Sequence, residues 1–171
     1  MRREAPSRAP RKSASVGEMQ NAPDLRDELD ALTKSLHTAS VPYAVCGALA
    51  LAIHGHPRAT RDIDLLTDPE HVEPLKLVAR AHHFTLVALP MTFASSGITV
   101  HRVSRVEGAR LLTLDILVGD GPLAPVWQTR EEVQTERGPL WVVSRRGLVT
   151  MKLAAGRPQD LADLAALEGT S

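Results

Sequence analysis

The chain has 171 residues, 43% of them apolar and 23% charged, enough to build a sizeable core and to exclude a globally disordered protein. Twenty basic residues balance 20 acidic ones, so the whole-chain charge gives no reason to expect a protein that coats nucleic acid or lies on an anionic membrane. One cysteine, Cys46, excludes an intramolecular disulfide and a cysteine-based zinc site, which fits a cytoplasmic location.

Residues 1–22 carry five basic side chains against Glu4 and Glu18 and almost no large apolar residue. They are expected to form a disordered basic tail ahead of a single domain over 23–171, whose own balance is 15 basic to 18 acidic residues. No apolar core of a signal peptide follows the basic start, and no stretch approaches the ~20 apolar residues that span a bilayer. Leu25, Leu29, Leu32 and Leu36 then recur at helical spacing behind Asp24, predicting an amphipathic helix over 24–39. Residues 41–46 read as a strand, Gly47 opens a helix-compatible Ala/Leu stretch, and 62–67 (DIDLLT) reads as a second strand. A helix over 69–83, strands at 84–89, 98–103 and 111–118, and a short helix near 123–129 follow. A strand at 140–143 and helices over 146–155 and 160–167 complete the chain. This order predicts an α/β (α+β) domain with a mixed β-sheet.

Three features on this map could meet. Asp62 and Asp64 are two apart on a strand, so both carboxylates face one side about 7 Å apart while Ile63 and Leu65 face the other. Two acids on one face repel unless a cation or water neutralises them; an isolated D-x-D is otherwise a solvated strand end. Asp115 stands inside the apolar run LLTLDILVG, facing either solvent or a site, because an unpaired buried carboxylate is costly. With the acidic pair it would present three hard-oxygen ligands in one place, enough for two Mg²⁺ ions with a substrate's phosphates. Gly47 lies at a strand-to-helix junction, where a small residue lets a phosphate approach the backbone, although glycine serves there more often as a plain connector.

The stretch from 41 to 70, VPYAVCGALALAIHGHPRATRDIDLLTDPE, resembles the nucleotidyltransferase superfamily that includes DNA polymerase β and the aminoglycoside nucleotidyltransferases. It looks most like the small bacterial branch related to the AbiEii-type abortive-infection toxin. The matching elements are Gly47, Ala48 and Ala50, then His54-Gly55, Arg58 and Thr60, and Asp62-Ile63-Asp64. Near the C-terminus, MKLAAGRPQDLADLAAL resembles the same branch, placing Lys152, Arg157, Asp160 and Asp163 on its pattern. The resemblance covers roughly residues 41 to 167.

The resemblance implies a nucleotidyltransferase fold, its mixed β-sheet flanked by helices, that transfers an NMP unit from an NTP, with one or two Mg²⁺ ions, to a hydroxyl of an unidentified acceptor. RNA, protein and small molecule all remain open for that acceptor. It implies Asp62 and Asp64 as metal ligands, Asp115 as third ligand and proton acceptor, and Gly47 and Ala48 against the triphosphate. Arg61 and Lys152 are its candidates for the triphosphate charge, with Lys152 the better supported. His54, Arg58, Thr60 and Arg157 would support the site, while Asp160 and Asp163 would either touch substrate or hold Arg157 and the fold together, the structural role being favoured. Ala48 stands where Gly or Ser is usual, keeping the amide and lacking the hydroxyl. A toxin role with a cognate antitoxin is implied by the same branch. The alternative is a non-catalytic nucleotide- or partner-binding module of this fold. The seven histidines form no zinc pattern, and Trp127 and Trp141 read as core anchors.

Overall fold

The structure, a computed structural model, describes residues 24–169; the basic tail expected over 1–22 lies outside them. The first helix, α1 (Leu25–Thr38), forms for the reason its spacing gives: Leu29, Leu32 and Leu36 share one face and are buried. Asp24 caps it, accepting a hydrogen bond from the Arg26 backbone N–H at 3.0 Å. Strand β1 is only Ala44–Val45, shorter than expected, and leads into α2 (Gly47–Ile53). Strand β2 is Asp62–Thr67, as the sequence predicts. A 3₁₀ turn (Pro69–His71), begun by Asp68, then feeds α3 (Val72–Ala81).

The expected strand over 84–89 contracts to β3 (Leu86–Val87), because Phe84 turns inward and its N–H bonds the Ala79 carbonyl at the end of α3. A two-residue strand not foreseen, β4 (Met91–Thr92), follows it. The long hairpin β5 (Thr99–Glu107) and β6 (Arg110–Val118) turns through Gly108, whose φ of 58° suits a two-residue loop. After a 3₁₀ turn come α4 (Ala124–Gln128), β7 (Glu131–Thr135), β8 (Gly138–Val142), α5 (Arg145–Ala155) and α6 (Pro158–Glu168). Strand β7 has no apolar run, EEVQT, and forms because the hairpin with β8 supplies its hydrogen bonds at the sheet edge.

The eight strands form one mixed sheet in the order β3-β5-β6-β2-β1-β8-β7, with β4 also paired to β5. β2 runs parallel to β6 and antiparallel to β1, and β1 runs parallel to β8. The central strands bury both faces: Ile63, Leu65, Leu66, Leu114 and Ile116 are fully inaccessible. The expected mixed sheet flanked by helices is therefore observed. Among the described residues no helix is long and apolar enough to cross a membrane.

Candidate active site

Strand register places the acids. Across β2 and β6, Asp62 pairs with Thr113, Asp64 with Asp115 and Leu66 with Leu117; across β6 and β5, Thr113 meets Ser104, Asp115 meets Arg102 and Leu117 meets Val100. Because alternate residues share a face, three rows lie side by side on one side of the sheet: Asp62-Thr113-Ser104, Asp64-Asp115-Arg102, and Leu66-Leu117-Val100. This face floors a cavity of about 470 Å³, closed on other sides by Gly47 and Ala48, by Arg58 and Thr60, and by α5 and the start of α6. The sequence-predicted acids Asp62, Asp64 and Asp115 all line it.

Burial, then repulsion from Asp115 and Asp62, pushes the Asp64 carboxyl up to about 6. Asp64 packs directly on Gly47: a Cβ added there would lie 2.0 Å from Asp64 Oδ2 and 2.6 Å from its Cγ, and the Gly47 φ is +62°. Glycine is needed at this junction to admit the carboxylate as well as to adopt the left-handed turn. Strand pairing continues into the junction through the Cys46 N–H, which bonds the Asp64 carbonyl at 3.0 Å. Cys46 itself is fully buried, and burial pushes its thiol well above the ordinary range.

Arg102, which the sequence reading did not single out, grips Asp115 with both prongs. Nε donates to Oδ1 and Nη2 to Oδ2, each at 2.7 Å, the bidentate fork that arginine geometry favours. The signal was available: a hairpin turning at Gly108 fixes Glu107 opposite Arg110, and counting back sets Arg102 opposite Asp115.

A second set of charges closes the opposite wall. The Lys152 ammonium is buried and donates to Asp163 Oδ2 at 2.6 Å and Asp160 Oδ1 at 3.1 Å. Arg58 donates to both oxygens of Asp163, at 2.9 and 3.0 Å, and Arg157 donates from Nε to Asp160 Oδ2 at 2.6 Å. Burial pushes the Asp163 carboxyl up, but the hydrogen bonds from Arg58, Lys152 and Gln159 outweigh it and hold it down at about 2. Asp160 is likewise held below the usual range, with the Arg157 and Lys152 bonds overcoming burial. Lys152, expected to meet the triphosphate, lines the cavity with its charge already shared between two carboxylates. Arg157, its side chain 72% exposed, and Arg58 also line the cavity and can turn positive charge toward a ligand.

The remaining predicted residues sit as follows. Arg61 is exposed and does not line the cavity, because the residue before Asp62 points to the other side of the strand. His54 ends α2 and its Nε2 contacts the Val143 carbonyl at 2.9 Å, tying that helix to the chain after β8. Thr60 Oγ1 accepts from the Asp62 N–H at 3.3 Å at the entry to β2. Trp127 is buried in the core and Trp141 packs against it; neither lines the cavity.

The donor chemistry fits a hard divalent cation: Asp62 and Asp64 present carboxylate oxygens on one face, and among the described residues burial and the neighbouring acids outweigh the cations near Asp64 and raise its carboxyl. Among the described residues no three His, Cys, Asp or Glu side chains converge as a ready-made cage, and both Asp115 oxygens are engaged by Arg102.

No protein-family model matches the chain, and no curated protein matches it by sequence. Solved structures do. A candidate nucleotidyltransferase from Thermotoga maritima superposes with a TM-score of 0.61 at 18% identity, covering 87% of this chain and 95% of its own. ANT(2″)-Ia, solved with adenylyl-2″-tobramycin, gives 0.55 at 14% identity over 82% and 86%. The lincosamide antibiotic adenylyltransferase LnuA, solved with lincomycin, gives 0.55 at 13% identity over 85% and 97%. At these identities the likeness concerns architecture: the chain has the mixed-sheet nucleotidyltransferase fold, with its acidic cavity on the face described above.

Proposed function

We propose that this protein is a Mg²⁺-dependent nucleotidyltransferase that moves an NMP unit from an NTP to a hydroxyl group. The observation that carries this is the Asp64-Asp115 register on parallel strands, with Asp62 beside it, in the cavity of a nucleotidyltransferase fold. Asp62 and Asp64 would hold a divalent ion, with Asp115 joining as Arg102 yields an oxygen; the bound ion supplies charge neutralisation at the phosphates. Gly47 and Ala48 line the cavity beside Asp64, where their backbone would meet a phosphate chain, and Arg58, Lys152 and Arg157 face it from the opposite wall. The acceptor oxygen attacks the α-phosphorus, the bond from the α-phosphorus to the bridging oxygen breaks, and pyrophosphate leaves. The hydroxyl proton passes to Asp115, whose carboxylate keeps lone pairs beyond those that the ion and the remaining Arg102 bond would engage.

ANT(2″)-Ia holds adenylyl-2″-tobramycin and LnuA is a lincosamide antibiotic adenylyltransferase, which supports a small hydroxyl compound as one acceptor class for this chain. The toxin role, with a cognate antitoxin, rests on the resemblance of the Gly47–Asp64 and Lys152–Asp163 stretches to the AbiEii branch. The test is incubation of purified protein with α-labelled NTPs, Mg²⁺ and cell extract. Wild type is expected to label an acceptor, and Asp62→Ala and Asp64→Ala to lose at least a hundredfold; labelling that persists in both variants would sink the mechanism. One observation favours a second reading: Arg102 holds both oxygens of Asp115, an arrangement that a non-catalytic nucleotide-binding module would tolerate. ATP binding without labelling of any acceptor would support that module.

A further inference from the structure

Residues 84–100 contain no Asp, Glu, Lys, Arg or His, although 23% of the whole chain is charged. This run lies along the sheet edge formed by β3, β4 and the start of β5, and it leaves large apolar side chains in solvent: Met91 is 42% and Phe93 48% exposed. Both line the cavity that holds the three acids. The pairing of Met91 with Val100, and of Val100 with Leu117, extends the third row of the sheet face outward. Leu117 stands two residues beyond Asp115 on the same face of β6, about 7 Å along the strand. One end of the cavity is thus an uncharged apolar shelf, and Asp115 stands at its inner margin.

We infer that this shelf holds the acceptor, and that the acceptor is an uncharged small molecule with an apolar body and a hydroxyl group. The inference rests on the transfer reading above and names the substrate class of the same site. An apolar body lying on Met91, Phe93, Val100 and Leu117 brings a hydroxyl at its polar end to Asp115. Ser95 and Ser96, in the tight loop between β4 and β5, add neutral hydrogen-bonding groups at the same rim. A polyanion such as RNA is disfavoured here, because residues 84–100 bring no Lys or Arg to the shelf and the arginine next to it, Arg102, is bound to Asp115. A polycation finds no carboxylate on the shelf itself, since residues 84–100 contain none. Solvent-exposed apolar area of this kind, rimming a polar cavity, is what a ligand with matching apolar surface can cover.

The test uses the full chain and n-octyl β-D-glucoside below its micelle concentration, with tobramycin and total tRNA as comparison ligands. Binding is followed by ligand-observed NMR and calorimetry. Wild type is expected to bind the glucoside, Met91→Asp and Phe93→Asp to weaken it at least tenfold with unchanged melting curves, and Phe93→Leu to retain it. Glucoside binding that is absent from wild type, or equal in wild type and both Asp variants, overturns the inference. So does tRNA binding that displaces the glucoside. Mg²⁺·ATP binding to wild type is read separately: its loss counts against the transfer reading, while the glucoside result still decides what the shelf accepts.

Discussion

The two walls of one cavity treat the same side chain in opposite ways. Asp163, behind the wall that Arg58 and Lys152 line, is held at about 2, and Asp64, on the facing wall, is pushed up to about 6. Asp163 has cations on two sides, Arg58 and Lys152, and its charge is settled inside the chain. Asp64 faces Asp115 and Asp62, and the strand register that brings them together gives it no direct cationic partner. The difference teaches which wall is built for stability and which is left to be completed from outside. A carboxylate kept uncompensated on a central strand costs folding free energy, and proteins accept such costs mainly at functional sites.

Removing the central cation of the satisfied wall should have the largest effect. Lys152→Ala leaves Asp160 and Asp163 short of a buried partner and is expected to destabilise the fold by about 3–5 kcal/mol, read by urea unfolding at pH 7. The acidic wall should respond in the other direction. Asp64 has a folded value above its unfolded one, so its penalty is absent below about pH 4, grows as pH rises and is complete above about 6. Asp64→Asn should therefore stabilise the metal-free protein at pH 8 by on the order of 2–3 kcal/mol, with the gain vanishing toward pH 4. A substitution that destabilises at pH 8 would erase the contrast between the walls.

Asp163 has the reverse sign. Its folded value is depressed, so the stability it contributes is present above about pH 4 and lost as pH falls through about 2. Acid unfolding of wild type should show this loss, of about 2 kcal/mol, and Arg58→Gln should flatten it. Arg102→Gln is expected to have the smallest effect on stability, under about 1 kcal/mol, because the arginine side chain is 44% exposed. It should nevertheless tighten Mg²⁺ binding severalfold by calorimetry, since it frees Asp115 and removes a positive charge from the site.

The acidic wall was legible in the sequence because strand alternation is a local rule: Asp62 and Asp64 share a face whatever surrounds them, and an acid inside LLTLDILVG must be accounted for. The parallel pairing of β2 with β6 then made three acids neighbours. The satisfied wall was only half legible. The helical spacing of Asp160 and Asp163 put them on one face, but the reach of Arg58 across 105 residues depends on how α6 docks. The strand-to-helix junction at Gly47 is visible in the sequence, while its contact with Asp64 requires the tertiary packing of α2 on β2. Strand β7 escaped because an edge strand needs no apolar pattern of its own, only a partner.

The measurement that bears most directly on the account is thermal unfolding of wild type and Asp64→Asn at pH 8, each with and without millimolar Mg²⁺ and ATP. Without ligand the variant should melt higher. With Mg²⁺ and ATP the wild-type midpoint should rise until the gap closes, while the variant stays where it was, because the cation and the phosphates complete a wall that only the native carboxylate leaves open. A wild-type midpoint that ignores Mg²⁺ and ATP, or an equal rise in both proteins, would contradict the assignment of the acidic wall as a metal-nucleotide site.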